Sequence, residues 1–432
     1  MLAALGILLA AIPVLGVGWL REHDASSART REATAYRLAF HAAELRDTDP
    51  ATARDLAAAA FKIHPDDHTR GQLTDVLVWW WNRQLPTDLP SGVALSADGL
   101  RALAGSSVMD LTTWLGGKYE MNGPIAALED YPSELSADGR TATTTDDEDR
   151  VTTWDLSDPA KPVRGGTLRG APVDALALSG DGRLAVAGDR DGNLAVWDLS
   201  DISRPERLSV TKAGNFGFYD IAVDSGGTKA VVANRVGAVH VWNLRDPADP
   251  VESADLSSPT GTQTPVAMTP DGRTVLAGRK SELDLWRLDD GSPPVQLAEF
   301  EVPLEYVENL SLTSDGKTAL ISGAYRSAFV WDLSDPADPA RLLELNGEDR
   351  EISSAALSAD GGIALTSGAT GSTLWDLRDL AEIAADPGEW FCEGPRTVKI
   401  GQDDWNRYVG DADLPEFRSY DEDGYEFCHQ SF

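Results

Sequence analysis

VDALALSGDGRLAVAGDRDGNLAVWD, residues 173–198, holds three short runs separated by two tight turns. Val173-Asp174-Ala175-Leu176-Ala177-Leu178 alternates as a half-buried strand, and Leu184-Ala185-Val186-Ala187 and Leu194-Ala195-Val196-Trp197 follow as two more. Gly180-Asp181-Gly182 and Asp191-Gly192 reverse the chain between them, because glycine accepts the positive φ that tight hairpin turns need. Trp197 ends the third run. A side chain of that size fills a wedge between packed sheets where a smaller one leaves a cavity.

The unit recurs. Trp114, Trp154, Trp197, Trp242, Trp286, Trp331 and Trp375 are spaced 40, 43, 45, 44, 45 and 44 residues apart. Turns of the type Ser-Xaa-Asp-Gly precede them, with Asp98, Asp138, Asp181, Asp271, Asp315 and Asp360 before the last glycine and Gly226-Gly227 at the fourth copy. A period of about 40–45 residues is that of a four-stranded propeller blade. The expected fold is therefore an all-β seven-bladed β-propeller. Polar loops such as Ser157-Asp158-Pro159, Arg245-Asp246-Pro247 and Ser334-Asp335-Pro336 join third to fourth strands, and their prolines discourage stray edge pairing.

At Trp154-Asp155, Trp197-Asp198, Trp331-Asp332 and Trp375-Asp376 the chain resembles the WD40-repeat β-propellers. It departs from them at Trp114-Leu115, Trp242-Asn243 and Trp286-Arg287, and the Gly-His pair that opens many family repeats is absent. The resemblance then implies that the family's buried Asp-His-Ser-Trp relay does not form, so that the blades rely on packing. Function is expected to follow the fold: a non-enzymatic module that binds an unknown protein or peptide.

Ahead of the repeats, residues 26–47 read as a helix, Asp49-Pro50 caps and starts a second, and a third runs from about Pro65 to Leu77. Val76-Leu77-Val78-Trp79-Trp80-Trp81 reads as a change from helix to strand. A ring needs closing, and the stretch around 77–85 is expected to supply the outer strand of blade seven. The four expected regions are an anchor over 1–20, a helical linker over 21–77, the propeller over 78–383, and a cysteine-containing extension over 384–432.

Leu2 to Leu20 carries no charged side chain, and its 19 residues give a helix of about 28 Å, enough to cross a hydrocarbon core. A single-pass anchor in the cell membrane is the expectation. The flanks also resemble actinobacterial membrane-tethered WD40-repeat proteins, in which a helical stretch links a transmembrane helix to the propeller, often beside a signalling NTPase or kinase. That resemblance implies a sensor or scaffold half. Cys392 and Cys428 lie outside the repeats; a disulfide between them suits export, and two buried thiols are the alternative. Arg21, Arg29 and Arg31 after the apolar run place the propeller in the cytoplasm by the positive-inside rule, while the disulfide places it outside. The extracytoplasmic side is the working expectation.

The balance of 37 basic against 70 acidic residues gives −33, a charge that repels phosphate backbones and excludes nucleic acid as a natural partner. Gly316-Lys317-Thr318 lacks the glycine a phosphate loop requires, with Ser311 in its place. Asp189-Arg190-Asp191-Gly192-Asn193 begins like a calcium loop, but Ser200 stands where the closing glutamate belongs. His64 and His68 have helical ligand spacing without a third ligand, and His240 sits alone in a strand. No cofactor, metal or catalytic residue is expected. A carbohydrate-binding or hydrolytic propeller is the competing reading; it needs buried carboxylates on the inner strands, where the sequence has Ala94, Ala177, Ala222 and Ala267.

Overall fold

The computed structural model describes residues 28–46, 48–79, 83–85, 92–112, 124–170, 173–257, 263–323, 327–346, 352–368, 371–385, 399–400, 404–409, 420–421 and 424–426. Contacts divide the chain into two compact units, one running from Trp81 to Arg378 and the other joining the residues before and after it.

The first of these is the ring. Blade three, the reference copy, consists of Val173–Leu178, Leu184–Asp189, Asn193–Asp198 and Glu206–Lys212, paired antiparallel in that order. Six further four-stranded sheets repeat it, with inner strands Val93–Leu95, Tyr131–Leu135, Phe218–Val223, Val266–Met268, Val307–Leu312 and Ile352–Leu357. Each inner strand touches the next in cyclic order, and the last touches the first, so the seven sheets surround one axis. Blade seven takes its outer strand from far upstream: Arg83, Gln84 and Leu85 pair with Leu374, Thr373 and Ser372. Ring closure is thus by residues 83–85 of the expected stretch. Residues 76–79 are helical.

Six of the seven tryptophan positions hold. Trp154, Trp197, Trp242, Trp286, Trp331 and Trp375 each pair with the second residue of the preceding strand, namely Ala142, Ala185, Ala230, Val275, Ala319 and Ala364. In blade one the partner of the equivalent Ala102 is Met109, fully buried, and not Trp114, which lies outside the described residues. The third strand of that blade ends at Asp110. Met109 restores a 45-residue spacing to Trp154, which the anomalous interval of 40 had concealed.

The aspartates of the repeated turns are structural. Ser179 Oγ donates to Asp181 Oδ1 (2.8 Å) and accepts from the Leu184 amide (3.0 Å), while the Arg183 amide donates to the same carboxylate oxygen (3.1 Å). Gly182 completes the turn at φ +67°. The same hydroxyl-to-carboxylate bond joins Ser96 to Asp98, Ser136 to Asp138, Thr269 to Asp271, Thr313 to Asp315 and Ser358 to Asp360. In blade four Asp224 takes the hydroxyl's place and accepts the amides of Thr228 (2.6 Å) and Lys229 (3.0 Å).

The second unit contains helices α1 (28–45), α2 (Pro50–Ile63), α3 (Asp67–Trp79) and α4 (Leu380–Ala385), with a small sheet of Lys399–Ile400, Tyr420–Asp421 and Gly424–Glu426. Asp49 caps α2 through Oδ1 and the Thr52 amide (3.2 Å), with Pro50 in the first turn. Ala57, Ala58, Ala59 and Ala60 are all fully buried, so α2 is covered on every side, by α3 and by Lys399–Ile400 among others. Small side chains are what permit that close approach. Helix α4 packs on α3, which puts residues 379–385 in this unit and ends the ring at Arg378. The apolar segment 1–20, Cys392 and Cys428 lie outside the described residues. Among those described, no helix is long and apolar enough to cross a membrane.

Candidate functional site

Antiparallel pairing sends the first-to-second and third-to-fourth connections of every blade to one face of the ring. The second-to-third turns and the segments leading into the inner strands therefore gather on the other. The first face is built from the capped Asp turns. The opposite face has turn caps of its own, Asp146, Asp189 and Asn234, and beside them exposed apolar side chains.

Phe216, Val236, Tyr306 and Tyr131 are 53%, 37%, 46% and 49% exposed on that second face. Tyr131 opens the inner strand of blade two, Tyr306 precedes that of blade six, and Phe216 precedes that of blade four. Val236 lies on the second-to-third turn of blade four, and the Arg235 amide donates to Gly217 O (3.1 Å), tying its turn to the segment that carries Phe216. The amides of Ala213 and Gly214 donate to Gly192 O (3.0 and 3.1 Å), which fixes the same segment over blade three. A Cβ at Gly192, φ +82°, would press on Gly214 O and Phe216 O.

An ion-pair chain runs beneath these groups. Arg190 reaches Asp149 of blade two (2.7 Å) and Asp174 of its own blade (3.1 Å), and Arg235 of blade four reaches the other oxygen of Asp174 (3.4 Å). The Asp174 side chain is 4% exposed, whereas Arg190 and Arg235 are 67% and 47% exposed. A buried carboxylate held from two sides sets the two guanidinium planes and leaves their outer edges to solvent. Beside Tyr131 a cleft of about 410 Å³ is lined by Asp130, Asp146, Asp147 and Glu148.

Two carboxyls on the inner strands behave differently. Glu134 is half-buried and accepts no hydrogen bond from the described residues. Loss of solvation, with the charge of Asp220 adding to it, pushes its pKa up to about 8. Asp220 is raised to about 7 by the same loss of solvation, against the amides of Val266 (2.9 Å) and Ile221 (2.8 Å) that favour its charged form. Glu134 lies in blade two and Asp220 in blade four, so the Asp220 charge is felt at Glu134 from beyond blade three. Tyr219, next in the chain, is also raised by burial and by Glu308 and Asp220.

The expectation of small apolar inner positions is thus incomplete. Glu134 lies two residues before the turn serine of its blade, where Ala94, Ala177, Ala222 and Ala267 lie in others. That substitution was the available signal. Phe216, Tyr306 and the Arg190–Asp174–Arg235 chain had none, because each lies in a turn or connecting segment that has no fixed place in the repeat. Asp189 accepts the amides of Asp191 (2.9 Å) and Asn193 (2.8 Å), so its carboxylate is spent on a hairpin. The Lys317 amide donates to Asp315 within the blade-six turn. His64 and His68 pack edge-on against Tyr36, whose hydroxyl donates to Asp66 (2.6 Å), and His240 pairs with Glu252 (2.9 Å). Among the described residues no group of three or more His, Cys, Asp and Glu side chains could hold a metal ion.

Residues 163–198, the segment that opened the sequence reading plus the outer strand before it, match the family model "WD domain, G-beta repeat". That match covers one blade, and seven four-stranded sheets of the same kind close into the propeller ring. No curated protein matches the sequence. A chain in the crystal structure of the Mitotic Checkpoint Complex superposes with a TM-score of 0.53 at 13% identity, over 68% of this chain and 90% of that one. At that identity the likeness concerns the fold.

Proposed function

We propose that this protein is a non-enzymatic interaction scaffold, and that its docking face is the rim carrying Phe216, Val236, Tyr306 and Tyr131 above the Arg190–Asp174–Arg235 chain. The observation that carries the reading is the exposure of four large apolar side chains on one face of a rigid ring. The paired arginines fit the same role, since exposed guanidinium edges beside aromatics are what protein partners use as anchors. The partner is a protein or peptide. A photo-crosslinking residue in place of Val236 in the full chain, expressed in its native cells, should capture a protein that the same probe at Val251 on an outer strand does not. Absence of any enriched protein, with a glycan or small molecule raising the melting temperature instead, would overturn the scaffold reading.

The reading extends to location. The uncharged segment 1–20 supports a single-pass anchor, and the two tail cysteines support an extracytoplasmic propeller serving as the sensing half of an NTPase or kinase system. Thiol labelling of intact and lysed cells tests this: reactive thiols found only after lysis, without reductant, contradict export.

One observation favours a second reading. Burial raises the Glu134 and Asp220 carboxyls to about 8 and about 7, toward the range in which a general acid works. A hydrolytic or carbohydrate-binding propeller would lose activity or glycan affinity on Glu134→Gln, whereas the scaffold keeps its partner.

A further inference from the structure

The face built from the Asp turns is belted by backbone hydrogen bonds that pass from each blade to the next. Ala97 N donates to Ala137 O (2.8 Å), Asp138 N to Gly180 O (3.2 Å), Gly180 N to Ser225 O (3.1 Å) and Ser225 N to Pro270 O (2.8 Å). Beyond the gap, Ser314 N donates to Ala359 O (2.7 Å) and Ala359 N to Ala97 O (2.9 Å), which returns the belt to blade one. Six of the seven seams are fastened in this way. At the seam between blades five and six none of the described residues provides the bond, because the position whose amide would donate is Pro270, and proline has no N–H.

The inner strand of blade five, Val266–Met268, is three residues long, as is that of blade one, against six in blades three, four, six and seven. Arg101 and Lys229 reach across their seams to Gly139 O and Gly272 O (both 2.8 Å); the other five blades, blade five with Thr274 among them, have Thr, Leu or Ile at that position. Trp331 Nε1 and Ser322 Oγ in blade six are buried without a partner, as are Trp242 Nε1 and Trp286 Nε1 in blades four and five. What holds the seam is apolar: Leu276, Leu283 and Leu285 against Val307, Ile321 and Trp331. Such packing has no directional preference and resists sliding less than hydrogen bonds do. On the opposite rim the seam is fastened, since Val307 N donates to Lys280 O (2.8 Å), with Lys280 held at φ +51°.

We infer that the ring opens at the seam between blades five and six, parting on the face of the Asp turns and hinging about the Lys280–Val307 bond on the other rim. The belt is then an open strap running from blade six through blades seven and one to blade five, with Pro270 as its free end. Opening of this kind is sub-global, below the free energy of unfolding the whole ring.

Hydrogen exchange of the full chain under native conditions tests it. Peptides covering Val266–Met268 and Val307–Leu312 should exchange about five- to tenfold faster than those covering Val173–Leu178 and Phe218–Val223, the factor that one ordinary hydrogen bond is worth. Pro270→Ser restores a donor and should slow the first pair toward the second. Ser225→Pro, which puts at blade four the residue that blade five already tolerates, should add fast exchange over Phe218–Val223 to that of the unmodified protein. Equal rates at all four peptides in the unmodified protein overturn the inference. So does fast exchange that Pro270→Ser leaves unchanged.

Discussion

Trp154 Nε1 donates to Thr144 Oγ1 at 2.9 Å, and Trp375 Nε1 donates to Thr366 Oγ1 at the same distance in blade seven. Each threonine lies two residues beyond the alanine that pairs with its tryptophan. The blades therefore do not rely on packing alone: in two of them the indole keeps a hydroxyl partner though no histidine continues the relay. At the same position blades four, five and six have Val232, Ala277 and Ile321, and there the indole nitrogens of Trp242, Trp286 and Trp331 are buried without a partner. Thr144→Val or Thr366→Val should cost about 1–3 kcal/mol, the penalty of stranding a buried donor. Val232→Thr in blade four should move the denaturant midpoint the other way. Equal midpoints for Thr144→Val and the unmodified protein would show that the bond contributes nothing.

Met109 fills the wedge of blade one, buried among Leu85, Ala102, Leu111 and Leu374. Met109→Ala should lower stability by about 2–5 kcal/mol through the cavity it leaves, and Met109→Leu by less than about 1.5 kcal/mol, because volume is nearly kept. Thermal melts of the two variants decide it. A neutral Met109→Ala would return the wedge to another residue.

Much of this was legible beforehand. Periodic tryptophans and Asp-Gly turns specify a ring because each is needed in every blade, and the closing strand follows from the missing outer strand of the last. Blade one misled because a methionine replaces the marker while Trp114, five residues later, imitates it. Val76–Trp79 misled because aromatic and branched residues favour strands only weakly, and helix α3 overrides that preference. The ion-pair chain was not legible, since Asp149, Arg190 and Arg235 belong to different blades and only the closed ring brings Arg190 onto Asp149 and both arginines onto Asp174.

Glu134 gives the fold a pH dependence opposite to that of the turn aspartates. Asp201, whose partner is the Ser203 hydroxyl, and Asp155, held by Ser157, have lowered pKa values; their stabilisation is present above the ordinary carboxylate range and lost in acid. Glu134 rises from 4.5 to about 8, so the folded state binds a proton that the unfolded state has released. Its favourable contribution is complete below pH 4.5 and lost as pH climbs through 8. Urea titrations of the unmodified protein and Glu134→Gln should diverge across that window, with the variant gaining at least about 1 kcal/mol relative to the unmodified protein between pH 5 and pH 9. Parallel profiles would mean that Glu134 is as well solvated as a surface carboxylate.

Gly323 ends the second strand of blade six with its Cα hydrogen facing the backbone of Tyr306, and a Cβ there would lie 1.9 Å from Tyr306 O. Backbone cannot rotate aside as a side chain can, so Gly323→Ala must displace the segment that carries Tyr306. Overpacking of this kind costs about 1–3 kcal/mol. Gly214, on the same face in blade four, has nothing within 4 Å of its would-be Cβ, and Gly214→Ala should stay within about 0.5 kcal/mol of the unmodified protein. The pair separates stability from docking. If Tyr306 belongs to the interaction surface, Gly323→Ala weakens partner capture at temperatures where the ring is still folded by circular dichroism, and Gly214→Ala leaves it intact. Loss of capture only in step with unfolding would remove Tyr306 from the interface.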